Sequence, residues 1–465
     1  MEHIHFIGIG GTGLSAIARV LLEQDLQVSG SDLYPSPLFE SVKQAGGSVF
    51  LGHQASNIQG ADLVIRSSAI PDENPEVRAA QAAGIPVLKR SEFLGRLTAG
   101  KKVIAVAGSH GKTTTTSMVA WILSDLGLDP SFIVGGVVNN LKTNARAGSG
   151  DYFVIEADEY DYMFLGLRPT IAAVTNVEHD HPDIFPTPDS FEEAFRRFVT
   201  NLEPDGTLIL CGDNPGARVL GDVLKSGQKL KIYGLDNPDW EYAAHNVRVN
   251  AAAGMDFDLW AKDADGETRL PVSLKLPGEH NVLNALAAFA LADSLEINRE
   301  EIVRSLGVFS GSGRRFEIRG EVDGVLLVDD YAHHPTEILA TLSAARSAYP
   351  DRVIRAVWQP HTYSRTATLF NDFTSAFRGA DQVLVLDVFE AREEKPDDFQ
   401  MLALVNAIQH DNVLYLRDND LAAAYLEDEL RAGDMLLIFT AGDAIEINDR
   451  VERTLLDRTD KERGE

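Results

Sequence analysis

Two glycine-rich turns constrain this chain more than any other feature. Gly8-Ile9-Gly10-Gly11-Thr12-Gly13 grows out of the apolar run Ile4–Ile9, and Gly108-Ser109-His110-Gly111-Lys112-Thr113-Thr114 follows Lys102–Ala107. Residues with helical apolar spacing come next in both cases, Leu14–Glu23 and Thr115–Leu126. A strand that ends in glycines and opens a helix points backbone N–H groups at phosphate oxygens. Two such units in one chain predict parallel sheets wrapped by helices.

The rest of the chain extends that pattern. Leu26–Ser29, Ala61–Ser67 and Pro86–Lys89 read as strands, as do Tyr152–Glu156 and Thr170–Asn176. Trp240–Leu276 alternates polar and apolar residues, which predicts antiparallel strands, and Gly278–Leu295 is an Ala-rich helix. Beyond Ser310-Gly311-Ser312-Gly313, a flexible tetrapeptide, come strands at Val325–Asp329, Val353–Gln359, Gln382–Asp387 and Met435–Thr440. For 465 residues, a prior of about 150 per domain gives roughly three domains. The reading is an α/β protein of three units: a Rossmann-like domain over 1–98, a central P-loop ATPase-like domain with a parallel sheet plus a small antiparallel sheet over 99–311, and a second Rossmann-like domain over 312–465. The charged tail Asp449–Glu465 is expected to fray.

Composition excludes several functions. Lys plus Arg number 42 against 70 Asp plus Glu, a net charge of −28, which argues against a nucleic acid polymer or an anionic membrane as partner. A small anion remains possible, because backbone amides and one Lys can oppose the global field. The one cysteine, Cys211, precludes an internal disulfide or a thiolate metal cluster. No apolar run approaches the roughly 20 residues of a membrane helix, and the N-terminus lacks signal-peptide features. A cytoplasmic enzyme without membrane insertion is expected.

Chemistry concentrates at strand ends. In the second turn Lys112 would reach the β- and γ-phosphates, and Thr113 would place its hydroxyl on Mg²⁺. The turn departs from the full Walker pattern in the placing of its first glycine. Glu156–Asp161 and Asn176–His181 put carboxylates and imidazoles after apolar strands, where Mg²⁺ ligands are needed beside a P-loop. Taken singly, each could be a solvated acidic loop. The first turn has Gly-x-Gly-x-x-Gly spacing with Asp32 ending the next strand, which fits a dinucleotide or a uridine nucleotide. Asn281 and Asn284 could read an adenine edge, or Asn281 could cap its helix. Asp329–Pro335 and Gln359–Arg365 place Tyr, His and Arg at two further strand ends, Arg365 being suited to a bidentate carboxylate.

In Gly8–Ala18, Ser67–Pro71, Gly108–Thr116, Asp329–Glu337 and Gln359–Thr366 the chain resembles the Mur ligases, and the resemblance spans essentially its whole length. These are three-domain, ATP-dependent amide-bond formers of peptidoglycan synthesis. The resemblance implies ATP, two Mg²⁺ ions, UDP-N-acetylmuramate and L-alanine, with a tripeptide as the alternative acceptor. It implies that Gly10, Gly11, Thr12 and Gly13 contact a diphosphate, with Asp32, His53 and Ser67 near the uridine nucleotide. Gly108, Ser109, His110, Gly111, Lys112, Thr113 and Thr114 would hold the ATP phosphates, with His280, Asn281 and Asn284 near adenine and Arg314 and Asp329 closing over the nucleotide. Thr113, Glu156 and His181 would be the metal ligands. Tyr331, His333, His361 and Arg365 would hold the amino acid, Arg365 by its carboxylate. Lys112, Glu156, His181, His333 and Arg365 would then be the catalytic set. Some members carry a carbamylated lysine after the metal histidine; Asp183–Thr200 contains no Lys, so none is expected. Thr362 stands where some members have Arg.

Overall fold

The computed structural model describes residues 2–264, 266–391 and 393–464, with side chains described through Thr459. Three sheets organise it. The first is five-stranded and wholly parallel, in the order 48–51, 27–32, 3–7, 63–66, 87–89. His3–Ile7 lies in the middle and is buried throughout, so its carboxyl end delivers the first glycine turn to a topological switch point. Crevices at such points are where α/β sheets bind ligands.

The second sheet has ten strands. Its centre is Lys102–Ala107, hydrogen-bonded in parallel to Ile171–Val174 on one side and Tyr152–Glu156 on the other. The continuous apolar run Val103–Ala107 suits a strand covered on both faces. All three strands therefore end at one edge, bringing the second glycine turn, Glu156 and the 176–181 segment together. Helix Lys112–Asp125 packs against Glu279–Asp293, whose Ala285, Ala287, Ala288, Ala290 and Ala292 are buried. Small side chains let this helix sit inside the domain rather than on it. The expected antiparallel strands, 242–249, 255–263 and 266–274, extend the same ten-stranded sheet rather than forming one of their own. At its other edge lies a hairpin that the sequence patterns did not suggest, Ser131–Val138 with Thr143–Arg146.

The third sheet runs 317–322, 325–330, 434–439, 353–358, 382–385, 413–415, with only the first strand antiparallel. Two expectations are corrected here. The linker Ser310–Gly313 is pinned: Ser312 bridges Val138, Gly313 N–H donates to Val137 O at 2.8 Å, and Asn139 N–H donates to Gly311 O at 3.1 Å. The charged tail is a helix, Glu446–Gly464, whose Ile447, Val451 and Leu455 are buried. Its apolar residues at helical spacing dock it on the third sheet, which charge content alone concealed. Among the described residues no helix is long and apolar enough to cross a membrane.

Candidate functional site

The second glycine turn is shaped by what it touches. Gly108 has φ +136°, and a Cβ there would lie 2.0 Å from Thr175 Oγ1. Gly111 has φ +80° and would meet Asn284 Oδ1 at 2.4 Å. Neither position admits a side chain without strain. Asn176 braces the turn, its Oδ1 accepting from His110 N–H at 2.8 Å and its backbone carbonyl from Ser109 N–H at 3.1 Å. The amides remaining for a phosphate belong to the first turn of helix Lys112–Asp125, which has no intrahelical acceptors.

Lys112 Nζ donates to Gly108 O at 2.5 Å and Ser109 O at 3.1 Å and pairs with Glu159 at 2.9 Å. Burial opposes its charge, yet Glu159, Asp158 and Glu156 together raise its pKa above the ordinary range. Burial pushes Glu159 itself up to about 7, against the pull of Lys112. Thr113 Oγ1 donates to Glu156 Oε1 at 2.9 Å, while Glu156 Oε2 accepts from Gly135 N–H at 2.7 Å. A hydroxyl and a carboxylate in contact are oxygen donors of the kind Mg²⁺ takes. His181, in backbone conformation φ +53°, lies with its Nε2 3.7 Å from Glu159 and from Asp180. The loop bearing these acids is anchored by packed rings: Phe164 stacks on Phe198 at 4.9 Å and meets Phe195 edge-on at 5.3 Å.

A cavity of about 170 Å³ opens beside this turn, lined by His110, Gly111, Thr113 and Thr114 together with His280, Asn281 and Asn284. The sequence-selected adenine candidates are thus beside the P-loop. The amide of Asn281 is partly committed, donating to Pro277 O at 2.7 Å, and Asn284 Oδ1 accepts from Thr115 Oγ1 at 3.2 Å. His280 is driven down to about 4 by burial, so it is neutral at pH 7. Arg314 and Asp329 do not line this cavity; Arg315 and Asp330 do. Strand alternation explains the second displacement. Asp329 faces the C-terminal helix, accepting from Asn448 Nδ2 at 2.6 Å, and Asp330 faces the cavity, where burial pushes it up to about 6. Arg314 instead donates to Thr440 O at 2.6 Å and covers the Tyr331 ring.

A larger cleft of about 800 Å³ adjoins, lined by all three domains: Thr12 from the first, Lys112, Glu156 and His181 from the second, and Tyr331, His333, His361 and Arg365 from the third. Arg365 is buried and donates through Nε to Asp180 Oδ1 at 2.8 Å and through Nη1 toward His361 Nδ1 at 3.1 Å. Burial, reinforced by Arg365, lowers His333 well below its ordinary pKa. In the first domain Asp32 ties the glycine turn down, accepting Gly10 N–H at 2.8 Å and Leu33 N–H at 2.8 Å. His53 contacts Ser31 Oγ at 2.9 Å, over the fully buried Glu76, and Ser67 Oγ accepts from Ala69 N–H at 3.4 Å.

Models of known families match all three units. The Mur ligase family catalytic-domain model covers residues 3–102, the Mur ligase middle domain 106–292, and the Mur ligase glutamate ligase domain 314–442. The UDP-N-acetylmuramate–L-alanine ligase of Geobacter sp. (strain M21) is 43% identical over 453 residues, 97% of this chain and 96% of its own. The chain belongs to the Mur ligase family. Its fold is similar to the crystal structure of UDP-N-acetylmuramate–alanine ligase from Thermotoga maritima, with a TM-score of 0.79 and 27% identity over 99% of this chain and 100% of that one. It is similar as well to a murein peptide ligase from Psychrobacter arcticus, with a TM-score of 0.72 and 27% identity over 98% and 99% of the two chains. Mur ligases are ATP-dependent ligases.

Sequence reasoning missed several residues in or beside these cavities. Arg90 approaches the first turn so closely that a Gly13 Cβ would lie 2.0 Å from its Nη1, and it donates to Asp158 at 3.1 Å. Arg315 reaches Thr113 Oγ1 at 3.4 Å. Asp180, Glu159, Glu178 and Glu337 complete the set. Glu159 and Asp180 stood inside quoted motifs without a role; Arg90 lay in no motif at all.

Proposed function

We propose that the chain joins L-alanine to the lactyl carboxylate of UDP-N-acetylmuramate at the expense of ATP, in peptidoglycan precursor synthesis. The observation that carries this is the single cleft reached by a phosphate-binding turn from each of two domains and a His/Arg cluster from the third.

The first turn and Arg90 hold the uridine diphosphate. Gly108–Thr114 holds the ATP phosphates, and Lys112 exchanges Glu159 for the transferred phosphoryl group. A carboxylate oxygen of the lactyl group attacks the γ-phosphorus as the bond to ADP breaks, leaving an acyl phosphate. Thr113, Glu156 and His181 would hold Mg²⁺, which supplies charge neutralisation between the phosphates. The amino group of alanine then attacks the acyl carbon, phosphate departs with the electron pair of the C–O bond, and the nitrogen loses a proton. His333, kept neutral by burial and Arg365, would be able to accept that proton. Arg365 would bind the alanine carboxylate by giving up part of its hold on Asp180. Docking of the third domain excludes water from the acyl phosphate.

The test is phosphate release with ATP and UDP-N-acetylmuramate fixed and the acceptor varied. Release dependent on L-alanine is expected. Release dependent on L-Ala-γ-D-Glu-meso-diaminopimelate and indifferent to L-alanine would replace this reading with that of a peptide ligase.

A further inference from the structure

Glu337 has two oxygens with separate tasks. It is the third residue of helix Pro335–Ala348, and Oε2 accepts from His333 N–H at 3.1 Å and His334 N–H at 3.4 Å. That is the work of a capping-box glutamate, and one oxygen suffices for it. The other, Oε1, crosses the domain boundary to His110 Nδ1 at 3.1 Å. His110 Nε2 meets Glu178 Oε2 at 2.9 Å, and Glu178 Oε1 accepts from Thr336 Oγ1 at 2.6 Å. The ring of contacts closes, since Thr336 and Glu337 are neighbours in one helical turn. Glu337, His110, Glu178 and Thr336 thus form a cycle, half of it from the P-loop domain and half from the amino-acid domain.

His110 stands in the glycine turn itself. Its carbonyl accepts from Thr175 Oγ1 at 2.5 Å and Asn176 Nδ2 at 3.2 Å, so a pull on its ring is transmitted to the backbone that receives phosphates. The other groups around it are His334, with ring centroids 4.7 Å apart, and Arg315, 3.8 Å from Glu337 Oε1. Both are partners of the third domain's entrance strand and helix, so the whole arrangement exists only while that domain is docked.

We propose that Glu337 is a positioning residue that sets the P-loop through His110, so that the phosphate site is completed only when the third domain is docked. The inference rests on the reading of Gly108–Thr114 as the ATP site. It gives the enzyme an order: nucleotide is held tightly in the docked form and released when the domain swings away.

The experiment is a double-mutant cycle read by the affinity of the whole chain for a fluorescent N-methylanthraniloyl ATP. Glu337→Gln keeps an oxygen for the helix cap and removes the charge facing His110. Glu337→Gln and His110→Gln should each weaken the nucleotide by about tenfold, and the double variant by no more than either alone. The KM for UDP-N-acetylmuramate should not move. Losses that add, or equal losses for both substrates with a lowered melting temperature, would overturn the proposal and leave Glu337 a helix cap. If Glu337→Gln does not fold, Thr336→Val opens the cycle from its other side without touching the cap; about threefold weaker nucleotide is then expected, and an unchanged affinity would overturn it. A wild-type chain that binds the nucleotide but releases no phosphate with L-alanine would reject the proposed ligation, while the cycle is still read by affinity.

Discussion

The two glycine turns share a backbone plan and differ in where their positive charge comes from. The second carries its own cation, Lys112, one residue past Gly111. The first carries none, and its Gly10 N–H is already taken by Asp32. Its cation is Arg90, supplied by the start of the domain's last helix, Arg90–Leu97, and pressed against Gly13. Both cations are parked on one acidic loop: Lys112 on Glu159, Arg90 on Asp158. In the ligation proposed above, a chain with a net charge of −28 would receive polyphosphates by letting each anion displace a carboxylate from a cation already in place. The same loop, 156–161, senses both turns.

The comparison breaks first at Lys112. Lys112→Ala should lower alanine-dependent phosphate release on the order of 10³-fold, the scale of a cation lost from a phosphoryl-transfer site. The KM for UDP-N-acetylmuramate should stay put. A near wild-type rate would mean that the second turn is not the phosphoryl site.

Arg90→Ala is the matching cut at the first turn. A charged hydrogen bond is worth about 1.5–3 kcal/mol, so the KM for UDP-N-acetylmuramate should rise about tenfold or more, with that for ATP unchanged. Gly13→Ala should move in the same direction, because its Cβ claims the space of the Arg90 guanidinium. An ATP effect as large as the UDP-substrate effect would show that Arg90 acts only by holding Asp158.

These two residues show what was legible. Lys112 lies inside a motif whose spacing encodes its geometry, and the strand and helix around it were readable from apolar periodicity. Arg90 reaches the first turn through tertiary packing of a helix that opens after an unremarkable strand, so no local pattern marks it. The hairpin 131–146, whose Gly135 amide holds Glu156, has glycines where alternation would have signalled strands. Asp329 and Asp330 could not be told apart without knowing which face of their strand meets the cavity. Cross-domain partners such as Asp180 with Arg365 are set by docking, which one-dimensional spacing does not contain. The three-unit α/β architecture was readable because it rests on strand and helix periodicity alone.

Acidity sharpens the comparison further, since the second turn contains a titratable residue, His110. Burial works against the charge of His110, and Glu178 and Glu337 overcome it, raising its pKa from 6.5 to about 9. A raised pKa means stability that is complete below about 6.5 and is lost as pH climbs through about 9. Burial likewise opposes the Glu178 charge, while His110 and Thr336 bring its pKa down from 4.5 to about 2, so its share is complete above 4.5 and lost on acidification toward 2. The melting temperature should therefore decline from pH 6.5 to 9 by about 2–4 °C, the equivalent of roughly 1 kcal/mol in a domain of this size. His110→Gln should flatten that slope. A slope unchanged in the variant would assign the decline to other groups.

The smallest effect is expected at Asp32, where the first turn sets a carboxylate against the anion it is proposed to bind. Both Asp32 oxygens are spent on amides, Oδ2 on Gly10 and Oδ1 on Leu33. Asp32→Asn keeps one acceptor and removes the charge. Losing one amide contact weakens the turn, and losing the charge relieves repulsion of the diphosphate; each is worth about 1 kcal/mol near a surface and they oppose one another. The KM for UDP-N-acetylmuramate should consequently change by less than about fivefold, and its salt dependence should shift, because only the charge term is screened. A rise as large as that of Arg90→Ala, insensitive to salt, would show that Asp32 contacts the nucleotide directly instead of serving the backbone of the turn.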